Sequence, residues 1–378
     1  MKKAFSLILS FAMIMSLAAC GSSAATSSSA AQSTAAVQEE SSASSAETSE
    51  SPAETSAPST VTVSGWNGEN EIIEVEVPYA PEKVVVLDLA NLDILDTLGL
   101  GDCVVGAPTI VLPYLQSYND DLPIVGSVKV PDLEAVMACE PDLILMGGRM
   151  AEYYDQLCEI APTLRLTTVS DDGLVEAIRA NAKIIGTIFG ETEQVDDLLA
   201  QYDARIAALA EFAEGKTCVL GMSTSGSFNL LGNDGRCSLI VNEIGFENIG
   251  IDAVATASEH SGGGEKSGSG AGSGEKSSGS EKSGGDSSTP THGNEVSFEA
   301  VVDLNPDYIF VMDRDAAIGT SGAQLAQEIM ENELIMKTDA YQNGNMIILE
   351  NPGIWYLAEG GITSLGIMLE DLESALLQ

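Results

Sequence analysis

Histidines and paired cysteines are scarce in this 378-residue chain, which limits the metal chemistry it can carry. Its only two histidines are His260 and His292, whereas zinc and manganese sites usually draw on several histidine and carboxylate ligands. The five cysteines that follow Cys20 are odd in number and scattered, and none forms a CxxC pair. Neither a disulfide framework nor a zinc site is therefore indicated. We expect no cofactor.

Catalytic motifs are also missing. The chain has no GxSxG turn, no HExxH helix, no Walker A loop and no dinucleotide-binding glycine pattern after a strand. Its 57 Asp and Glu residues could be combined into many acid pairs, but no spacing singles one out. We therefore expect a protein that is not an enzyme.

Positive charge is scarce too. Sixteen Lys and Arg stand against 57 Asp and Glu, which gives a formal net charge of -41. A chain of this charge repels phosphate backbones and anionic headgroups at long range. Nucleic-acid binding and binding to an anionic membrane surface through a basic patch are therefore excluded.

One apolar run stands at the N-terminus, where Lys2 and Lys3 precede the stretch 4–15. This run is too short for a membrane-spanning helix, which needs about 20 residues, and it predicts a signal peptide. Small residues lead to Cys20, which Gly21 follows, and this pattern resembles the lipobox of bacterial lipoproteins. We predict that Cys20 is lipidated and becomes the mature N-terminus. A soluble secreted protein with an incidental cysteine is the alternative.

Two low-complexity tracts divide the rest of the chain. The first consists almost entirely of Ser, Ala, Thr and Glu, and the second is rich in Gly and Ser, so neither can bury enough apolar surface to offset ordering entropy. We predict a signal peptide (1–20), a disordered tether (21–60), an N-terminal lobe (61–190), an interlobe helix (191–214) and a C-terminal lobe (215–378) that carries a low-complexity insertion (258–290).

A segment that occurs twice supports the two lobes. LEAVMACEPDLILMGGR at 133–149 and FEAVVDLNPDYIFVMDR at 298–314 align without a gap. Each copy has a helical pattern, a Pro-Asp turn, an apolar run typical of a buried strand, and then an arginine. The uninterrupted helical spacing of 191–214 predicts one long helix between the copies. We therefore expect an α/β fold of two similar lobes that face one cleft.

Three of the six arginines lie at or near the ends of apolar runs, namely Arg149, Arg236 and Arg314. Ligands of open parallel sheets bind outside the carboxyl ends of the strands. Guanidinium groups present forked donors to carboxylate, phosphate or catecholate oxygens, so three of them at a cleft would form an anion site. The alternative is that each arginine pairs with a local carboxylate, such as Asp313, Asp315 or Asp234.

Three further residues are candidates for contact with a ligand. Trp355 and Tyr356 follow a turn, and aromatic rings stack on flat ligands. Tyr356 is the stronger candidate because its hydroxyl could reach an iron-bound oxygen, whereas Trp355 could equally be a core residue. His292 either completes the pocket or is a turn residue without a role.

The motifs as a set resemble those of substrate-binding lipoproteins of iron-siderophore ABC importers. The set comprises the lipobox, the repeated helix and strand, the long helix, GGR at 147–149, GR at 235–236, THG at 291–293, DR at 313–314 and PGIWYLA at 352–358. The likeness is greatest to the branch that binds catecholate siderophores of the petrobactin or enterobactin-fragment kind. It runs from about Val61 to the C-terminus, and the 258–290 insertion departs from the family pattern.

This resemblance implies a bilobal fold of the periplasmic binding protein type, a shallow cleft, and a ferric siderophore as ligand. By position, Arg149, Arg236 and Arg314 match the arginines that face the ligand, Tyr356 matches the cleft tyrosine, and His292 matches an optional iron ligand. Glu134 and Glu299 match the glutamates that dock on the permease.

The resemblance further implies a monomer that is anchored through lipid to the outer face of the cytoplasmic membrane and that delivers its ligand to a permease dimer. Two alternatives stay open. The same fold serves haem and cobalamin receptors, in which aromatic and axial His or Met contacts would matter more than arginines. A surface lipoprotein with a structural or adhesive role would bind no small ligand.

Overall fold

The computed structural model describes residues 59–168, 173–251, 294–295 and 298–377. The predicted signal peptide with Cys20, almost all of the predicted tether, the low-complexity insertion and His292 lie outside these residues. No helix in the described part of the chain is both long enough and apolar enough to cross a membrane.

The described chain alternates strands with helices. The strands are β1 (Thr60–Trp66), β2 (Ile72–Pro78), β3 (Val84–Val86), β4 (Val104–Gly106), β5 (Leu143–Met146), β6 (Thr163–Arg165), β7 (Thr217–Thr224), β8 (Ser227–Leu230), β9 (Glu247–Asn248), β10 (Asn294–Glu295), β11 (Tyr308–Asp313) and β12 (Met346–Ile348). The helices are α1 (Leu89–Thr97), α2 (Ser117–Asp121), α3 (Leu133–Ala138), α4 (Tyr154–Cys158), α5 (Leu174–Phe189), α6 (Thr192–Ala213), α7 (Ser238–Asn242), α8 (Phe298–Leu304), α9 (Arg314–Ala317), α10 (Ala326–Met330), α11 (Asp339–Gln342), α12 (Pro352–Leu357) and α13 (Ile362–Leu376). Four 3-10 turns lie at Gly101–Cys103, Pro113–Leu115, Gly148–Tyr153 and Ile335–Lys337.

These strands form three sheets. Strands β1 and β2 pair as an antiparallel hairpin. A parallel sheet in the first half of the chain has the order β4-β3-β5-β6. A mixed sheet in the second half has the order β10-β8-β7-β11-β12, with β9 paired to β7. The two halves therefore each contain a sheet with parallel central strands, as the repeat predicts.

The strands that the apolar runs predict are present. All residues of β3 and of β5 are buried, as expected for central strands that are covered on both faces. Strand β11 is likewise buried along its whole length and lies between β7 and β12. Buried apolar positions on both faces of each sheet thus explain why these segments read as continuous hydrophobic runs.

The Pro-Asp turn of each repeat has an equivalent structural role. Asp142 accepts hydrogen bonds from the backbone N–H groups of Glu82 and Lys83, at 2.9 and 3.0 Å, where the chain enters β3. Asp307 accepts from the backbone N–H and the hydroxyl of Thr217, both at 2.9 Å, at the start of β7. Each aspartate therefore ties its own strand to the neighbouring strand of the same sheet.

Helix α6 is the long helix that the sequence predicts between the repeats. Its buried side chains include Val195, Leu199, Tyr202 and Leu209, which recur at helical spacing. Gly190 separates it from α5 in a left-handed conformation with φ of 79°, which ends α5 at low cost because glycine has no Cβ.

The C-terminal helix α13 packs against α1, α5 and α6 of the first half of the chain. Asp93 on α1 is fully buried, and its carboxylate accepts hydrogen bonds from the backbone N–H groups of Thr363 and Ser364, both at 2.9 Å. The hydroxyl of Tyr114 also donates to Asp93. The end of the chain thus returns to the first sheet, and the predicted lobe limits remain predictions.

Candidate ligand-binding site

The three predicted arginines come together around one side chain. Arg149 lies three residues beyond β5, Arg314 directly follows β11, and Arg236 lies between β8 and α7. The guanidinium carbons of Arg149, Arg236 and Arg314 lie 5.8, 4.1 and 5.6 Å from the centroid of the Tyr356 ring. These distances are within the range of cation–π attraction. We call these three residues the arginine cluster.

Hydrogen bonds reinforce this arrangement. The carbonyl oxygen of Tyr356 accepts from Nη2 of Arg149 at 2.5 Å and from Nη1 of Arg236 at 3.0 Å. Arg314 donates through Nε to the Tyr356 hydroxyl at 3.1 Å and through Nη1 to Oγ1 of Thr224, at the end of β7, at 3.2 Å. Tyr356 therefore holds all three members of the arginine cluster.

Tyr356 lies below the arginines rather than at an open surface. It is 1 % exposed, and its hydroxyl accepts a hydrogen bond from Arg314. The sequence predicts that this hydroxyl reaches the ligand, whereas in the structure the guanidinium groups cover the ring. The physical reason is that a π face and a carbonyl oxygen both attract guanidinium groups.

Trp355 is a core residue, which corrects its prediction as a ligand contact. It is fully buried, and its indole Nε1 donates to Oδ2 of Asp371 at 2.9 Å. Asp371 also accepts from the backbone N–H and the side-chain amide of Asn351, at 3.2 and 2.6 Å. These contacts fix the start of α12, on which Pro352 occupies the first turn, and so they position the neighbouring Tyr356.

Among the described residues, each member of the arginine cluster has a carboxylate within 4 Å. Arg314 pairs with Asp315 at 3.6 Å, and Asp315 is one of the local carboxylates that the alternative names. Arg149 lies 3.8 Å from Asp88, and Arg236 lies 3.5 Å from Glu359. Asp88 and Glu359 were not predicted as site residues, because they come from other segments of the chain than the arginines with which they pair.

Asp88 is positioned by the strand that precedes it. It follows β3 and caps α1, accepting hydrogen bonds from the backbone N–H groups of Ala90 and Asn91 at 3.0 and 3.2 Å. Gly147, at the end of β5, allows this approach, because a Cβ atom there would lie 2.1 Å from the Asp88 carboxylate. Burial raises the pKa of the Asp88 carboxyl, and the nearby Arg149 partly offsets this shift.

Glu359 occupies a comparable environment on the other side of the cluster. Its side chain is 16 % exposed, and burial raises the pKa of its carboxyl, which Arg236 and Arg149 partly offset. The side chain of Arg236 is only 8 % exposed, and its buried Nε has no hydrogen-bond partner among the described residues. An unpaired buried donor is costly, so this Nε favours an additional acceptor.

The remaining predicted residues lie elsewhere. Glu134 and Glu299 are exposed and occupy equivalent places in the first turns of α3 and α8. His292 lies outside the described residues. Within the described ranges, no three His, Cys, Asp or Glu side chains are grouped so that they could hold a metal ion.

A separate cavity of about 190 Å³ lies between the β1–β2 hairpin, β6 and α5, and none of the three arginines lines it. The lining includes Trp66, Ile72, Leu166 and Ile184. Because these side chains are apolar, the cavity differs from the arginine cluster, which is cationic.

Comparison with known proteins identifies the family. Residues 84–267 and 281–352 match the family model described as periplasmic binding protein. The chain belongs to this family. It is 34 % identical over 305 residues to the petrobactin-binding protein YclQ of Bacillus subtilis, an alignment that covers 80 % of this chain and 84 % of that protein.

Solved structures show the same fold. The iron uptake ABC transporter substrate-binding protein PiuA of Streptococcus pneumoniae superposes with a TM-score of 0.68 at 32 % identity, over 85 % of this chain and 100 % of that one. The catecholate-siderophore binding protein VctP of Vibrio cholerae superposes with a TM-score of 0.66 at 26 % identity, over 83 % and 100 %.

These comparisons confirm the bilobal periplasmic binding protein fold that the sequence predicts. Members of this family are extracytoplasmic solute-binding proteins that serve ABC transporters, so the chain is a solute receptor and not an enzyme. The ligand-binding roles of individual residues remain predictions.

Proposed function

We propose that this protein is the extracytoplasmic receptor of an iron-siderophore ABC importer and that it binds a ferric siderophore of the catecholate class. The ferric complex is the ligand that the receptor transports, not a resident cofactor. The observation that carries this proposal is the convergence of Arg149, Arg236 and Arg314 on the ring and carbonyl of Tyr356.

The electrostatics of the arginine cluster suit an anion of several charges. Ferric catecholate complexes are anionic, and their oxygens accept hydrogen bonds from guanidinium forks. The net charge of -41 repels anions at long range, but the Debye length is about 8 Å at physiological ionic strength, so charges inside the site dominate at contact. Charge complementarity, rather than covalent chemistry, therefore selects the ligand.

The names of the relatives support the same class of ligand. YclQ is a petrobactin-binding protein and VctP is a catecholate-siderophore binding protein. Both align with more than four fifths of their own length.

We further propose how the receptor is held and how it delivers its ligand. Lipid on Cys20 anchors a monomer to the outer face of the cytoplasmic membrane, and the 21–60 segment acts as a tether. Glu134 and Glu299 each contact one subunit of a permease dimer. Their equivalent positions in the two repeats and their exposure support this role, because a two-fold partner presents the same surface twice.

Ligand titration tests the proposal. A soluble form without residues 1–20 is titrated with ferric catecholate, hydroxamate and citrate complexes, haem and cobalamin, while quenching of tryptophan and tyrosine fluorescence is recorded. We expect saturable quenching at sub-micromolar concentration by a ferric catecholate. Saturable binding of haem or cobalamin without binding of any ferric siderophore would assign the protein to the haem or cobalamin receptors. Absence of quenching by every compound tested would refute a receptor for any of these ligands.

A further inference from the structure

The arginine cluster is electrically compensated before any ligand arrives. Asp88, Glu359 and Asp315 lie 3.8, 3.5 and 3.6 Å from Arg149, Arg236 and Arg314. An anionic ligand therefore meets a site in which a carboxylate lies within 4 Å of each of these three guanidinium groups. To gain the full attraction of the arginines, the ligand must overcome repulsion from these carboxylates.

Asp315 is more deeply buried than the other two carboxylates, since its side chain is 4 % exposed, against 13 % for Asp88 and 16 % for Glu359. It accepts hydrogen bonds from the backbone N–H of Ser225 at 2.6 Å and from the hydroxyl of Thr320 at 3.3 Å. Both bonds hold this carboxylate in place. Burial raises the carboxyl pKa of Asp88 and of Glu359, and for each of them the contacts with arginine and backbone only partly offset this shift.

The charge of Asp88 also acts on Glu359. The groups that face Glu359 are Arg236, Arg149, Asp88 and the backbone N–H of Cys237, and the negative charge of Asp88 disfavours that of Glu359. The groups that face Asp88 are Arg149 and the two backbone N–H groups that it caps. The two carboxylates share Arg149, so an anion that binds this arginine acts on both of them.

We propose that Asp88 and Glu359 are specificity-determining residues that take up protons when the arginine cluster binds an anionic ferric complex. Their protonation removes negative charge from the site and so reduces its repulsion of the ligand. This inference rests on the proposed function. It goes beyond that function in assigning the two carboxylates a role in ligand selection. Without proton uptake, the repulsion would remain in the complex.

The sign of the effect follows from linkage. An anion beside a carboxylate favours the protonated carboxyl, so the complex binds more protons than the free receptor does. Affinity then falls as the pH rises, by about tenfold per pH unit for each proton taken up. A ligand without net charge gives no such dependence, because it does not repel the carboxylates.

Isothermal titration calorimetry measures the protons directly. The full chain without residues 1–20 is titrated at pH 7 with a ferric hexadentate tris-catecholate in phosphate, HEPES and Tris buffers, which differ in ionisation enthalpy. The slope of the observed enthalpy against the buffer enthalpy gives the number of protons taken up. For the wild type we expect net uptake. The same titration with an uncharged ferric tris-hydroxamate, where it binds, gives none.

Two variants assign the protons. We expect Glu359→Gln and Asp88→Asn each to remove part of the proton uptake and the double variant to remove all of it. Each variant should also bind the tris-catecholate more tightly than the wild type does at pH 8. Asparagine caps a helix as well as aspartate does, so Asp88→Asn retains the start of α1. Thermal unfolding of each variant verifies that it is folded.

Glu243→Gln is the matched control. Glu243 is also a glutamate whose carboxyl pKa is raised by burial, but it accepts a hydrogen bond from the backbone N–H of Val175 at 3.0 Å, at the start of α5, and no arginine contributes to its shift. We expect proton uptake equal to that of the wild type. Binding of the tris-catecholate without proton uptake, or uptake that survives in the double variant, overturns the inference and leaves the proposed function intact. Absence of binding to any ferric siderophore overturns both.

Discussion

Arg236 lies over the ring of Tyr356, with its guanidinium carbon 4.1 Å from the ring centroid, and its Nη1 donates to the carbonyl oxygen of the same residue at 3.0 Å. One residue thus binds the arginine through both its side chain and its backbone. Because Arg149 and Arg314 lie over the same ring, the geometry of the arginine cluster depends on the position of α12. The cluster is therefore arranged by a rigid helix rather than by flexible loops alone.

Removal of Arg236 or Arg314 should weaken binding of the ferric ligand. A charge-assisted contact contributes about 1.5 to 3 kcal/mol, so Arg236→Ala and Arg314→Ala should each raise the Kd by roughly 10-fold to 150-fold in fluorescence titrations. Arg236→Lys keeps the charge but loses the fork, and its Kd should lie between those of wild type and Arg236→Ala.

Arg179→Ala is the control for this series, since Arg179 forms ion pairs with Glu176 and Asp196 on helix surfaces, away from the cluster. Its Kd should equal that of the wild type. Unchanged affinity in both Arg236→Ala and Arg314→Ala would remove the arginine cluster as the binding site.

Tyr356 should act by positioning the arginines rather than by touching the ligand. Tyr356→Phe retains the ring and the backbone carbonyl and loses the bond from Arg314, so we expect its Kd to rise less than about tenfold. Tyr356→Ala removes the π face under all three guanidinium groups, each worth about 0.5 to 2 kcal/mol, and should raise the Kd much further. Equal losses in the two variants would show that the hydroxyl contacts the ligand itself.

Much of the fold could be predicted from the sequence because its signals are local. The apolar runs of the two repeats marked β5 and β11, and helical spacing without interruption marked α6. Arginines just beyond strands pointed to the carboxyl edge of a parallel sheet, and Arg149 and Arg314 do lie there. These inferences need only the periodicity of apolar residues along the chain and the rule that ligands bind outside the carboxyl ends of parallel strands.

The composition of the site could not be predicted in the same way, since pairing across the fold leaves no local pattern. Asp88 approaches Arg149 only because β3 and β5 are neighbours and Gly147 leaves room for the carboxylate. Trp355 and Tyr356 are adjacent in sequence, yet one packs on Asp371 in the core and the other lies beneath the arginines. Which face of α12 meets the cluster depends on tertiary packing.

The stability of the protein should rise as the pH is lowered from about 7.5 to about 5. Burial raises the carboxyl pKa of Asp88, Asp93, Glu243 and Glu359, so the folded state binds more protons than the unfolded state above the ordinary pKa of these groups, about 4. The free energy of unfolding therefore decreases as the pH rises through this window. Relief of self-repulsion in a chain of net charge -41 acts in the same direction.

Urea unfolding at several pH values measures this trend. Glu359→Gln should flatten the pH dependence, because it removes one of the groups that gain a proton in the folded state. Glu140→Gln changes an exposed carboxylate that pairs with Lys83 at 3.3 Å, and it should leave the slope unchanged. A free energy of unfolding that increases from pH 5 to pH 7.5 would contradict the prediction.

Docking on the importer should depend on Glu134 and Glu299 but not on the arginine cluster. Both glutamates are exposed, and each lies in the first turn of the repeat helix of its own half. Glu134→Ala combined with Glu299→Ala should therefore abolish uptake of radiolabelled ferric siderophore by cells that carry the importer, while the Kd of the purified receptor stays at the wild-type value. Each single variant should retain partial uptake, because the other half still contacts its subunit.

The control pair for this experiment lies on the connecting helix α6. Glu193→Ala combined with Glu211→Ala removes the same charge from exposed positions outside the repeats, and it should leave both uptake and binding unchanged. If the control pair reduced uptake as much as the double variant at Glu134 and Glu299, general loss of negative charge rather than specific docking would be the cause. If the Glu134 and Glu299 variant lost ligand binding, these residues would belong to the site or its support, and the permease contact would have to be sought elsewhere.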